Sequence, residues 1–179
     1  MKKILIRVLV LMLLAVLCLG AVACSKEDDT PEGMQNVSIE NATFDLFVPA
    51  GWVAQTSSGI SGARVSNTDT SNVTVTVYLP AEVLTAESYW QNYCLPEYQN
   101  GVLKDFSVVE EKCGDTTLGG LNAKKYVFVY TLDGKSYEVM QILTVKDDNV
   151  YTLTFTAESA NFAGHEENME SIRSNFRFR

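Results

Sequence analysis

Between Ala123 and Ala157 the chain repeats one pattern three times, and that repetition leaves few folds open to it. Tyr126, Phe128 and Tyr130 alternate with Val127 and Val129 along Ala123 to Leu132; Asp133-Gly134 follows, and Tyr137 to Val145 returns. After Asp147-Asp148-Asn149, Tyr151, Leu153, Phe155 and Ala157 alternate with Thr152, Thr154 and Thr156. A period of two places successive side chains on opposite faces of a strand. Asp-Gly between two such runs is a strong hairpin signal, because a type I′ turn needs positive φ at both central residues. Three consecutive antiparallel strands follow, one face apolar and the other rich in Thr.

The rest of the chain is arranged around that meander. Val37 to Glu40, Asn41-Ala42 and Thr43 to Val48 read as strand, tight turn and strand, with Phe44, Leu46 and Val48 on one face, ended by Pro49 to Trp52. Ala63 to Ser66 is a short strand and Asn67 to Asn72 a turn. Val73, Val75, Val77 and Leu79 then alternate with Thr74, Thr76 and Tyr78, a half-buried strand closed by Pro80. Thr85 is placed to cap a helix that carries Glu87 in its first turn and Tyr89, Trp90, Tyr93 and Cys94 on one face. Pro96 kinks or ends it. Phe106 to Cys113 reads as the next strand, and Gly119-Gly120 as a turn. Ser159 or Asn161 can cap a final helix in which Phe162, Met169, Ile172 and Phe176 recur near a 3.6 period, so it should lie across the apolar sheet face. The fold class is α+β, an antiparallel β-sheet flanked by helices.

Four local signatures in this order resemble the PsbP-like superfamily, which includes PsbP, the DcrB-type lipoproteins and a yeast Ran-binding import factor. They are Phe44-Asp45-Leu46-Phe47-Val48-Pro49-Ala50-Gly51-Trp52; Leu118-Gly119-Gly120-Leu121-Asn122-Ala123; Tyr151-Thr152-Leu153-Thr154-Phe155; and Met169 to Phe178 as closing helix and terminal strand. The resemblance covers roughly Val37 to Arg179. It implies an α/β/α sandwich around an antiparallel sheet and a non-catalytic accessory or binding role. Members do unrelated jobs, so the fold itself transfers no function. The manganese and calcium sites proposed for plant PsbP find no matching residues here, and no metal or cofactor is carried over.

The start of the chain speaks to location. Lys2, Lys3 and Arg7 form a basic beginning, and Ile4 to Leu19 is nearly all Leu, Val, Ile and Met. Ala21-Val22-Ala23-Cys24 resembles the lipobox of bacterial lipoproteins, which implies that residues 1–23 are a signal peptide and that Cys24 receives a diacylglycerol on its sulfur. Ala21-Val22-Ala23 is also an acceptable A-x-A site for ordinary signal peptidase, but Cys24 directly after it favours lipidation, and either route exports the chain. The apolar run falls short of the roughly 20 residues of a spanning helix. Two acyl chains hold a protein on a membrane stably where one does not. The expected location is the extracytoplasmic side of a bacterial cell membrane.

Removing residues 1–23 leaves 156 residues, with 11 basic against 22 acidic side chains, a net charge of −11. A domain of that length needs no dense disulfide framework to fold. The charge disfavours nucleic acid, whose phosphates require a basic patch, and it repels anionic headgroups, so the domain should stand off the bilayer. Residues 24–36 are polar and acidic with Pro31 and Gly33, the composition of a flexible tether. Glu27, Asp28 and Asp29 could meet a metal, but a solvated charge run is the plainer reading. The domain is expected to span 37–179.

Few residues are candidates for chemistry. His165 is the only histidine, and neither a G-x-S-x-G elbow nor an H-E-x-x-H pair accompanies it, so it reads as a surface or boundary residue and the chain as no enzyme. Cys94 and Cys113 are an even pair in an oxidising exterior, which invites a disulfide; two free thiols are the alternative, and geometry decides between them. Trp52 and Trp90 read as packing residues, and Tyr78, on the Thr side of its strand, as the exposed aromatic. The functional expectation is a membrane-anchored extracytoplasmic lipoprotein, held by its lipid and binding an envelope protein as an accessory or assembly factor. The alternative is a small-ligand or metal-binding surface lipoprotein, which would require a pocket with converging polar groups.

Overall fold

The structure, a computed structural model, describes residues 29–179. Its centre is the meander: β9 (Leu121–Leu132), β10 (Lys135–Lys146) and β11 (Asn149–Glu158) are antiparallel neighbours. Asp133 and Gly134 hold φ of 52° and 78°, Asp147 and Asp148 of 49° and 61°, so both connections turn through left-handed pairs. β6 (Asn72–Tyr78) joins β11, β5 (Ser61–Arg64) joins β6, and the two-residue β4 (Val53–Ala54) closes that edge. On the other side β9 is long enough for two partners, β8 (Gly114–Leu118) along its first half and β7 (Lys104–Val108) along its second. The strand order is β4-β5-β6-β11-β10-β9-β7, antiparallel throughout.

Register decides which side chains meet on each face. Val73, Val75, Leu153, Phe155 and Ile142 are buried in one core with Met169 and Ile172 of α4 (Glu166–Asn175). That helix is reached through α3 (Ser159–Phe162) and a tight turn at Ala163–His165. The same core takes Val37, Phe44, Leu46, Val48 and Trp52 from the N-terminal part of the domain. There β1 (Met34–Asn36) pairs with β3 (Phe47–Pro49), and β2 (Phe44–Asp45) pairs with β12 (Arg177–Phe178). Arg179 clamps this junction by donating to Asp45 Oδ1 at 2.7 Å and to the Ala42 carbonyl at 3.0 Å.

The opposite face is covered over β9 and β10 by the helical path of residues 86–102. Thr85 caps α1 (Ala86–Tyr89) reciprocally: its Oγ1 accepts from the Ser88 amide at 3.0 Å, and Ser88 Oγ accepts from the Thr85 amide at 2.8 Å. The chain then widens into a π-type turn at Trp90–Cys94, where the Leu95 amide reaches back to the Trp90 carbonyl, before α2 (Leu95–Glu97). A widened turn beside Pro96 takes up the imino ring without a break in the path. Trp90, Cys94 and Tyr98 therefore stay on one side, four residues apart. Trp90 stacks on Tyr126 with centroids 4.1 Å apart and planes 5° from parallel, and Tyr98 and Phe106 meet Phe128 at 5.1 and 5.3 Å. Val139 and Leu143 complete this second cluster. The result is the expected sheet between helical layers.

Several elements differ from the sequence reading. The first strand is Met34–Asn36, inside the stretch assigned to the tether, and the Val37 to Glu40 strand is absent. One backbone bond remains there, from the Val37 amide to the Leu46 carbonyl at 2.9 Å, and side chains take up the next amides: Ser38 Oγ accepts from the Leu46 amide at 2.7 Å, and Asn36 Oδ1 from the Ser38 amide at 2.9 Å. The Phe106 to Cys113 strand stops at Val108, and Glu110–Lys112 form a 3₁₀ turn. The ladder is bridged across this break, since the Val127 carbonyl accepts from the Val109 amide at 2.8 Å and the Val127 amide donates to Cys113 Sγ at 3.3 Å. The final helix is broken at Ala163–His165, and neither Ser159 nor Asn161 caps it: α3 starts after Glu158 with no side-chain cap. Pro96 does not end its helical path.

Gly119 makes the β8–β9 turn possible. Its φ is 58°, and a Cβ there would come within 2.5 Å of the Phe178 ring. Gly120, at φ 79°, faces open space. We expect Gly119→Ala to lower stability by about 2–4 kcal/mol and Gly120→Ala by only about 1–2 kcal/mol, read as urea unfolding midpoints. A loss at Gly119 no larger than at Gly120 would show that Phe178 does not rest on this turn.

Candidate functional site

Cys24, the proposed lipid-bearing residue, lies outside the described residues, as do Glu27 and Asp28. Asp29 forms an ion pair with Arg177 at 3.1 Å. No helix among the described residues is long and apolar enough to cross a membrane. None of them gather into a group of three or more His, Cys, Asp and Glu fit to hold a metal ion.

The two cysteines are free thiols, so the disulfide that their even number invited is not formed. Each sulfur has a separate task. Cys94 is buried in the aromatic cluster, where desolvation pushes its thiol up to about 11, a protonated and unreactive state. Cys113 Sγ donates to the Val109 carbonyl at 3.4 Å while accepting from Val127.

His165 is a boundary residue, as read from the sequence. Its Nε2 meets Asp69 Oδ2 at 2.9 Å, and its ring stands edge-on to Trp52 and Phe155 at 6.2 and 5.7 Å. Its Nδ1 is buried without a hydrogen-bond partner among the described residues. Asp69 also accepts from the Ser71 amide at 3.0 Å. The carboxylate thus links the Ser71 amide to the imidazole. The pair docks the turn before α4 onto the β5–β6 hairpin.

Trp52 and Trp90 are both buried, whereas Tyr78 is 40% exposed. The structure adds neighbours that the sequence did not single out. Tyr78, Tyr89 and Tyr93 form a triangle with centroids 5.2, 6.0 and 5.6 Å apart. Leu79 and Val83, in the loop between β6 and α1, are 72% and 77% exposed, and Tyr93 is 39% exposed. The Tyr93 hydroxyl donates to Glu82 Oε1 at 3.2 Å, which ties this loop to the helical path. That bond raises the Tyr93 phenol, and burial pushes Tyr89 up to about 12, with the nearby Glu97 charge adding to it. The arrangement is an exposed aromatic and aliphatic patch edged by carboxylates, a composition that buries well against another protein. Val83 carries no pattern of its own in the sequence, and Leu79 reads there as the end of the buried Val73, Val75 and Val77 row; the structure instead leaves both exposed in the loop that follows Tyr78.

The Asp69 pair yields a pH dependence. Hydrogen bonds from Ser71, then the His165 contact, hold the Asp69 carboxyl below its ordinary 3.8 against the opposing effect of burial. A carboxyl lowered by folding contributes stability that is complete above its unfolded value and disappears as pH falls through the folded one. Between about pH 5 and pH 3 the wild type should therefore lose more of its urea midpoint than Asp69→Asn. Equal losses would mean that the pair does not stabilise the fold.

No protein-family model matches the chain, and no curated protein matches it significantly. Solved structures do. LpqN of Mycobacterium tuberculosis, involved in cell envelope biogenesis, is similar with a TM-score of 0.62 at 19% identity, over 80% of this chain and 90% of LpqN. The cyanobacterial PsbP, CyanoP, of Synechocystis gives 0.60 at 11% identity over 85% and 96%. PA94 of Pseudomonas aeruginosa, a protein of unknown function, gives 0.53 at 18% identity over 77% and 92%. At these identities the likeness is one of architecture. The antiparallel sheet, its two helical covers and these neighbours together make this a PsbP-like α+β fold.

Proposed function

We propose that the chain is a membrane-anchored extracytoplasmic lipoprotein, non-catalytic, whose domain binds a partner protein as an accessory or assembly factor of a bacterial envelope complex. The observation that carries this reading is the exposed Tyr78 and Tyr93 of the tyrosine triangle, with Leu79 and Val83 exposed in the loop that Glu82 ties to it. Exposed aromatic and aliphatic side chains cost little when they are covered by a partner and leave unfavourable hydration when they are not. Glu82 and Glu97 beside the rings favour a partner with an apolar knob and a basic rim. The lipobox resemblance at Cys24 supports the anchor, and the involvement of LpqN in cell envelope biogenesis supports the compartment. A tether of polar residues after Cys24 would give the patch the reach to meet a membrane complex.

Two experiments test this. Replacing Val83 with a photo-crosslinking phenylalanine in intact cells should capture one dominant envelope protein, lost with Leu79→Asp and retained with Leu132→Asp at a distant exposed hairpin; capture of abundant background proteins alone would sink the docking reading. In the same cells Cys24→Ala should abolish incorporation of a labelled fatty acid and release the chain from the membrane fraction. Continued lipid labelling of that variant would overturn the anchor.

A further inference from the structure

A concavity lies on the other side of the sheet from the tyrosine patch, between α4 and strands β8 to β10. It encloses about 380 Å³, within the range of roughly 300–1,000 Å³ typical of small-molecule sites. Val127, Met140, Ile142, Phe162 and Met169 give it an apolar floor.

Three cations line this groove, and two of them are fully engaged. Lys112 Nζ lies 2.6 Å from Glu138 Oε1 and 5.4 Å above the Phe162 ring. Arg173 is forked onto Glu170 and donates to the Thr117 carbonyl and hydroxyl at 2.9 and 3.0 Å. Lys125 is different. It pairs in register with Ile142, which puts it on the side of β9 that gives Ala123 and Val127 to the core. It is half-buried, and no ion pair or hydrogen bond holds its ammonium among the described residues. Its charge is felt at Glu170, a carboxylate already taken by Arg173. A charged group on a core face is costly unless something pairs it.

We infer that this groove binds a small organic monocarboxylate with an apolar body, the carboxylate on Lys125 Nζ and the body on the floor beneath α4. One negative charge is the limit, because Glu111 and Glu166 are exposed at the mouth and repel a second. The apolar body is required by the floor, whose five side chains offer no hydrogen bond apart from weak thioether acceptors. The carboxylate gives Lys125 the charge-assisted partner that the fold withholds.

The test is calorimetric titration of the full chain in lipid nanodiscs, with empty discs subtracted, using 4-phenylbutyrate and its neutral amide as probes. The acid should bind saturably and the amide about tenfold or more weaker. Lys125→Met should weaken the acid by a similar factor, Lys125→Arg should restore it, and Lys112→Met should change it less than about threefold because that ammonium is engaged by Glu138. Lys125→Met should also keep or raise the urea midpoint, since it removes a lone charge from a core face; a merely structural lysine would lower it. Equal binding of acid and amide, undiminished binding to Lys125→Met, or no saturable heat from the acid up to about 10 mM would each overturn the inference.

Discussion

The parallel stacking of Trp90 on Tyr126 is the contact on which the architecture turns. A sheet whose centre is apolar on both sides cannot leave either side to water, and only the first side is covered by the C-terminal helix and the N-terminal strands. The second side, with Phe128, Val139 and Leu143, is closed by one irregular helical path. That path holds because its π-type turn beside Pro96 keeps Trp90, Cys94 and Tyr98 aligned on the sheet. Removing the indole would open a cavity against three aromatic rings, a loss on the scale of about 3–5 kcal/mol seen for large-to-small core changes. The cover lies over β9 and β10, with Tyr89 reaching Tyr78 of β6. Beyond it Thr74, Thr154 and Thr156 are half-buried and Thr76 is exposed, and the tyrosine patch lies where the aromatic cover gives way to this threonine strip.

Much of this was legible in the residues, and the failures share a cause. Asp133-Gly134, the alternation of β6, β9 and β11, and the Thr85 cap were read correctly, because each depends on local backbone chemistry that a few residues specify. The PsbP-like order of elements came through for the same reason. Pairings held by side chains did not. Ser38 and Asn36 take the place of backbone ladder bonds near β1, and Cys113 does so beside β9, where the sequence shows only a thiol that invites a bridge. β8 was invisible because Gly114-Asp115-Thr116-Thr117 has no alternation; it exists because β9 has a free edge to offer. The same limit hid half of the candidate site. Tyr78 could be picked out from its side of the strand, whereas Leu79 was read into the apolar row of that strand, which ends one residue earlier, and Val83 acquires meaning only from the fold. Lys125 did leave a trace, as the one charged residue among Ala123, Val127 and Val129 at odd positions of β9.

The two candidate surfaces occupy opposite sides of the sheet and differ in kind. The tyrosine patch is exposed and edged by carboxylates, suited to a broad protein contact. The groove under α4 is narrow, floored by apolar side chains and holds a single unengaged ammonium. They are coupled only through the strands between them, since Tyr126 and Phe128 serve one side and Lys125 and Val127 the other. Occupation of one is therefore compatible with occupation of the other, and a domain on a lipid tether could present either to its surroundings.

The central claim is that the tyrosine patch is covered in the cell. Hydroxyl-radical footprinting of the chain in intact cells, compared with the same chain purified, reads this directly. The account predicts that Tyr93, Val83 and Leu79 are oxidised severalfold less in cells while Leu132, 51% exposed at the β9–β10 turn, is oxidised alike in both. Equal oxidation of the patch in the two settings would contradict it.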